Sequence, residues 1–133
     1  MEFVADFETT SVRVYGKDNK LDRQLSRAFV CAWAIIPVEA EPDPATIRRG
    51  RSVTSFLAYV EEIYFEITKE KRKKKSTLSI FTHNLKFDGD FILYEILKNK
   101  TAELINEVRE NVLYNFTIRF PSGAEVTFYD SMK

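Results

Sequence analysis

The chain has 133 residues, with 20 Lys and Arg against 20 Asp and Glu, so its formal net charge is zero. Hydrophobic residues make up 44% and aromatics 14%, with only four glycines and four prolines, which excludes a disordered chain and predicts one globular domain over 1–133. Zero net charge provides no global basic field, and the single cysteine, Cys31, cannot form an internal disulfide, so a reducing compartment and an inert core thiol are expected.

Residues 2–7 read as an apolar strand. Side chains two apart on a strand share a face, so Asp6 and Glu8 stand together at its end. Paired carboxylates there repel and resist desolvation. A divalent cation is the usual remedy, and hard oxygen ligands suit Mg²⁺ or Mn²⁺. Residues 9–27 are polar, include Gly16 and Asp18-Asn19, and read as a hairpin or excursion. Residues 28–36 form a strongly apolar strand stopped by Pro37, and 39–44 an acidic loop. Basic runs at Arg48-Arg-Gly-Arg51 and 69–75 make the charge locally uneven.

Residues 52–74 give the clearest helix. Val53, Phe56, Leu57, Val60, Ile63, Tyr64 and Ile67 make one apolar stripe, Ser52 or Thr54 serves as cap, and the terminal lysines suit the macrodipole. Trp33 and Tyr59 read as core. Residues 78–82 read as a short buried strand. Asp88 or Asp90 starts the next helix, with Ile92, Leu93, Ile96 and Leu97 facing inward, and a third helix covers 101–110. Residues 111–120 and 124–129 form a β-hairpin around Pro121-Ser-Gly123. No apolar stretch is long enough to span a bilayer and no signal-peptide core opens the chain, so an intracellular, cytoplasmic protein without a membrane partner is expected.

A crossover from 3–7 to 78–82 makes those strands parallel neighbours, and ligands of such sheets collect beyond the strands' carboxyl ends. Asp6, Glu8 and Asp88 are therefore expected to converge. Three carboxylates there can hold one metal and share a second, in a two-metal phosphoryl site with ions roughly 3.5–4 Å apart. Thr9 and Asn84 offer hydrogen bonds to a sugar or phosphate. Phe87 and Phe91 offer faces for an unpaired base, worth about 1–3 kcal/mol each. Plainer roles stand beside these: an exposed acid pair at a strand end, Asp88 as a helix cap, His83 as a packing contact, Phe91 in the core, Thr9 and Ser131 in turns, and the lysine run as a solvated helix end.

Asp6-Phe-Glu-Thr-Thr10 resembles the first exonuclease motif of proofreading DNA polymerases, and His83-Asn-Leu-Lys-Phe-Asp-Gly89 the second, in its protein-primed family B form. Tyr129-Asp-Ser-Met-Lys133 is similar to a Tyr-Asp-Ser-Leu-Lys segment of the same enzymes. The resemblance implies a ribonuclease H-like α/β fold, a mixed five-stranded sheet flanked by helices, here truncated before the last helix. It implies a 3′–5′ exonuclease domain acting on single-stranded DNA 3′ ends, with Asp6, Glu8 and Asp88 as catalytic metal ligands. Thr9, His83, Asn84, Phe87, Phe91, Ser131 and Met132 become DNA contacts, and a priming terminal protein a possible partner. Asp130 matches a non-catalytic position. The family's third motif, Tyr-x-x-x-Asp, is absent from the 133 residues, so the chain is expected to be the N-terminal piece of something longer. The stretch between the first two motifs is longer than in compact phage members. A binding module for nucleic acid or a priming protein, lacking the fourth acid, is the competing expectation, and an RNA-directed exonuclease a third.

Overall fold

Residues 2–12, 27–38, 47–71, 78–110 and 113–131 are described by a computed structural model of the protein. In chain order they form β1 (Glu2–Val12), β2 (Arg27–Pro37), β3 (Arg48–Gly50), α1 (Val53–Lys71), β4 (Leu78–Thr82), α2 (Leu85–Asn99), β5 (Glu103–Arg109), β6 (Tyr114–Arg119) and β7 (Glu125–Asp130). All seven strands join one open sheet in the order β3-β2-β1-β4-β7-β6-β5. β4 runs parallel to both β1 and β7, and every other pairing is antiparallel. The fold is thus mixed α/β, and the expected parallel pairing of the first and 78–82 strands is found.

Two corrections raise the strand count from five to seven. β3 is a three-residue strand too short to carry a periodic signal. Residues 101–110, expected as a helix, instead contain β5, which pairs with β6 from Glu103 opposite Arg119 to Arg109 opposite Tyr114. Glu110 and Leu113 exchange backbone hydrogen bonds that close this hairpin. Its Ala-Glu-Leu composition favours helix weakly, and cross-strand pairing overrides so small a preference. The 121–123 turn between β6 and β7 lies where Pro121 and Gly123 predict it, with Gly123 at positive φ.

Alternation along the strands sorts the side chains onto two faces. Phe3, Ala5 and Phe7 of β1, Trp33 and Ile35 of β2, Ile80 of β4, Phe116 of β6 and Phe128 of β7 are buried. The α1 stripe closes over them: Phe56 meets Phe7 and Trp33 edge-on at 4.8 and 5.4 Å, and Phe128 in a tilted contact at 6.3 Å. Gly89 of α2 sits so near Phe116 that a Cβ there would lie 2.9 Å from the ring. Both helices therefore cover the same face, and among the described residues the opposite face carries no helix. On the open face Val4 is 42% exposed, beside a Phe81–Tyr129 stack at 5.2 Å.

The helix ends follow local chemistry. Ser52 caps α1 by accepting the Ser55 backbone N–H at 3.1 Å, and the Ser55 hydroxyl donates back to the Ser52 carbonyl. α2 begins earlier than expected, at Leu85, because the Asn84 carbonyl accepts the N–H groups of Phe87 and Asp88. Asp88 and Asp90 are thus inside the helix. Ile92 and Ile96 are buried and Leu93 is partly buried, but Leu97 is 77% exposed, correcting its expected inward face. Cys31 is also exposed rather than a core thiol. The 39–44 loop, most of the polar 9–27 excursion and the end of the lysine run lie outside the described residues.

Candidate active site

The last residue of β1 paired with β4 is Ala5, opposite Thr82. Beyond it β1 continues alone on that side, so Asp6, Phe7 and Glu8 edge the cleft at the carboxyl ends of two parallel strands. Phe7 turns into the core, which fixes Asp6 and Glu8 on the open face, where both are exposed. A register shift between Glu8 and Thr9 marks a β-bulge, with Cys31 the extra residue on β2; its thiol donates to the Glu8 carbonyl at 3.4 Å. Bulges re-aim side chains, and this one falls at the acid motif.

The turn from β4 carries His83 and Asn84, both exposed, into α2. Asn84 occupies the N-cap position without using its side chain as a cap, so its amide is not spent on the helix. One turn in, Phe87 is 45% exposed and meets the partly buried Phe91 edge-on at 5.2 Å. Asp88 is the buried member, only 4% exposed. Its carboxyl is pushed up to about 6, first by burial and then by Asp6, with Glu8 and Asp130 adding to the rise and a hydrogen bond from the Phe7 backbone opposing it.

Asp88 therefore lies within electrostatic reach of Asp6 and Glu8, as the topology predicts. Asp130, at the end of β7 opposite Thr82, joins them, although its motif match is to a non-catalytic position. Thr9 is partly buried at the bulge. Ser131 is tied down at the end of β4: its N–H and hydroxyl both donate to the Thr82 carbonyl, at 2.8 and 3.0 Å. Met132 lies outside the described residues.

Among the described residues no three Asp, Glu, His or Cys side chains stand close enough to enclose a metal ion. The donor chemistry nevertheless suits one, since the negative charge of Asp6 and Glu8 that raises Asp88 would be relieved by a hard cation. Mg²⁺ needs no closed protein cage, because it keeps several waters and is often held by one or two carboxylates plus substrate phosphates.

The fold and cleft define an α/β domain with an acidic site at the carboxyl ends of parallel strands. No family model matches the chain, and no solved structure matches it. The chain is similar to the DNA polymerase of Streptococcus phage Cp-1, at 35% identity over 83 residues, which cover 60% of this chain and 14% of that polymerase. The similarity supports a relation to a DNA polymerase. No described helix is long and apolar enough to cross a membrane.

Proposed function

We propose that this chain is part of the 3′–5′ proofreading exonuclease domain of a protein-primed type DNA polymerase, acting on single-stranded DNA ends. The observation that carries the reading is that buried Asp88, in the first turn of α2, lies within electrostatic reach of the Asp6–Glu8 pair at the edge of β1 beyond Ala5. The mixed sheet and the similarity to a phage DNA polymerase support it. Asp6, Glu8 and Asp88 would hold Mg²⁺ or Mn²⁺, which when bound lowers the pKa of a water and neutralises charge on the departing oxygen. The residues around them position the strand. Exposed Phe87 stacks an unpaired base, while Asn84, Thr9 and His83 offer hydrogen bonds to sugar or phosphate. The hydroxyl oxygen of Ser131, held against β4, can accept a further bond.

The test is shortening of a 5′-labelled single-stranded DNA oligonucleotide from its 3′ end with Mg²⁺. Turnover is expected in the full-length polypeptide that carries this chain and abolished there by both Asp6→Ala and Asp88→Ala. Equal cleavage by both purified variants would sink the assignment. A parallel RNA oligonucleotide decides between DNA and RNA as substrate.

The lack of a three-ligand group among the described residues favours a second reading, a module that holds DNA or a priming protein without turnover. Salt-sensitive oligonucleotide binding with no metal-dependent cleavage, even within the longer polypeptide, is its signature.

A further inference from the structure

The basic run at 48–51 acquires a role only from the sheet. β3 pairs with β2 so that Gly50 is opposite Trp33 and Arg49 opposite Ala34, while Ala34 is itself opposite Asp6. Arg49, Ala34 and Asp6 thus form one row across three strands on the open face. Gly50 belongs to the other face, where a Cβ would come within 2.4 Å of the Trp33 ring. Arg48 also turns that way, toward Tyr59. Arg49 and Arg51 remain on the open face with the carboxylates. Ala32 and Ala34 leave the floor between them low, opening a groove of ≈ 480 Å³ walled by Asp6 and Glu8 on one side and by Arg49 and Arg51 on the other.

Two strand spacings separate the rows, about 10 Å. Among the described residues neither arginine forms an ion pair with Asp6 or Glu8. A guanidinium fork suits phosphate oxygens bidentately. A wall of acids facing a wall of arginines fits a ligand that presents phosphate to both, one through a cation and one directly.

We propose that Arg49 and Arg51 form a phosphate-binding subsite of this cleft, gripping the backbone of the bound single strand across the alanine floor. The inference rests on the exonuclease reading for the identity of its ligand. The two residues are positioning residues for the strand.

The test uses the 133-residue chain and a fluorescein-labelled dodecamer of deoxythymidylate, followed by anisotropy in EDTA across a salt series. The Arg49→Ala/Arg51→Ala double variant is expected to bind at least about fivefold more weakly. Its slope of log affinity against log salt should fall by about 0.7 for each phosphate no longer neutralised. Arg49→Lys/Arg51→Lys should recover the slope but only part of the affinity, because charge returns without the fork. Both arginines lie at the edge of the sheet, and matching thermal melts confirm that the variants fold.

Unchanged affinity and slope in the alanine variant, with the full-length polypeptide still degrading the oligonucleotide in Mg²⁺, overturns the subsite and spares the exonuclease. Unchanged affinity together with tighter Mn²⁺ binding overturns it too, assigning the arginines to neutralising the acids. Weaker binding by the variant while the full-length polypeptide never cleaves supports the subsite and sinks the exonuclease. No binding by the 133-residue chain and no cleavage by the full-length polypeptide removes both.

Discussion

Asp88 is hydrogen-bonded by the backbone of Phe7, the residue that separates Asp6 from Glu8 in β1. This contact ties the first turn of α2 to the acid strand just past its last pairing with β4. The edge of β1 beyond Ala5 makes it possible, since among the described residues no neighbouring strand consumes the Phe7 amide on that side. A sequence motif on a strand and another on a helix are thereby joined through main chain.

The raised carboxyl of Asp88 has a consequence for stability. Folding binds its proton more tightly than the unfolded chain does, so its contribution is full below the ordinary value of 3.8. It is lost as pH rises through about 6. Asp88→Asn, which cannot ionise, is expected to be more stable than the native chain at about pH 8 without metal, by about 1–2 kcal/mol after solvent screening. The advantage should vanish toward pH 3.8. Thermal melts over that range check this, and a gap that ignores pH counts against it.

Phe87 and Phe91 should separate cleanly. Phe87 is exposed, so Phe87→Ala is expected to change stability by no more than about 0.5 kcal/mol. Its effect on oligonucleotide affinity should equal about 1–3 kcal/mol, one stacked base. Phe91 packs against the core, so Phe91→Ala should cost about 2 kcal/mol or more in stability. Denaturant titration beside anisotropy measures both. The reverse pattern would move the stacking role to Phe91.

Gly50→Ala probes the seat of β3. A Cβ at 2.4 Å from the Trp33 indole must displace either ring or strand. Trp33 is pinned by its Nε1–H donating to Ser55 at 3.0 Å and by stacking on Tyr59 at 5.9 Å, so the strand should yield. A destabilisation of about 1–3 kcal/mol and a shift in Trp33 fluorescence are expected. Unaltered melting and emission would mean that β3 does not rest on the indole.

Thr82 presents a buried hydroxyl that finds no hydrogen-bond partner among the described residues, although its carbonyl holds Ser131. Replacing that hydroxyl by a methyl group keeps the shape and removes the desolvation cost. Thr82→Val is expected to stabilise the chain by about 1 kcal/mol, read as a raised denaturant midpoint. Destabilisation instead would show that the hydroxyl has a partner in solution.

Much of this site was legible in the residues themselves. Period-two alternation set Asp6 and Glu8 on one face, the α1 stripe declared a helix, and Pro121 with Gly123 placed the last hairpin. These are local signals, written in one segment's own backbone preferences. The sequence therefore determined which residues are acidic, aromatic and amide-bearing, and which elements carry most of them. Tertiary structure decided the rest. Three-residue β3 is a strand only because β2 offers it an edge, and 103–109 is a strand only because β6 pairs with it. Leu97, apolar and in register with a helix stripe, is exposed because no described residue packs over the end of α2 there. The row from Arg49 through Ala34 to Asp6 joins residues far apart in the chain. Cross-strand register is set by the whole sheet's pairing, and no segment encodes it alone.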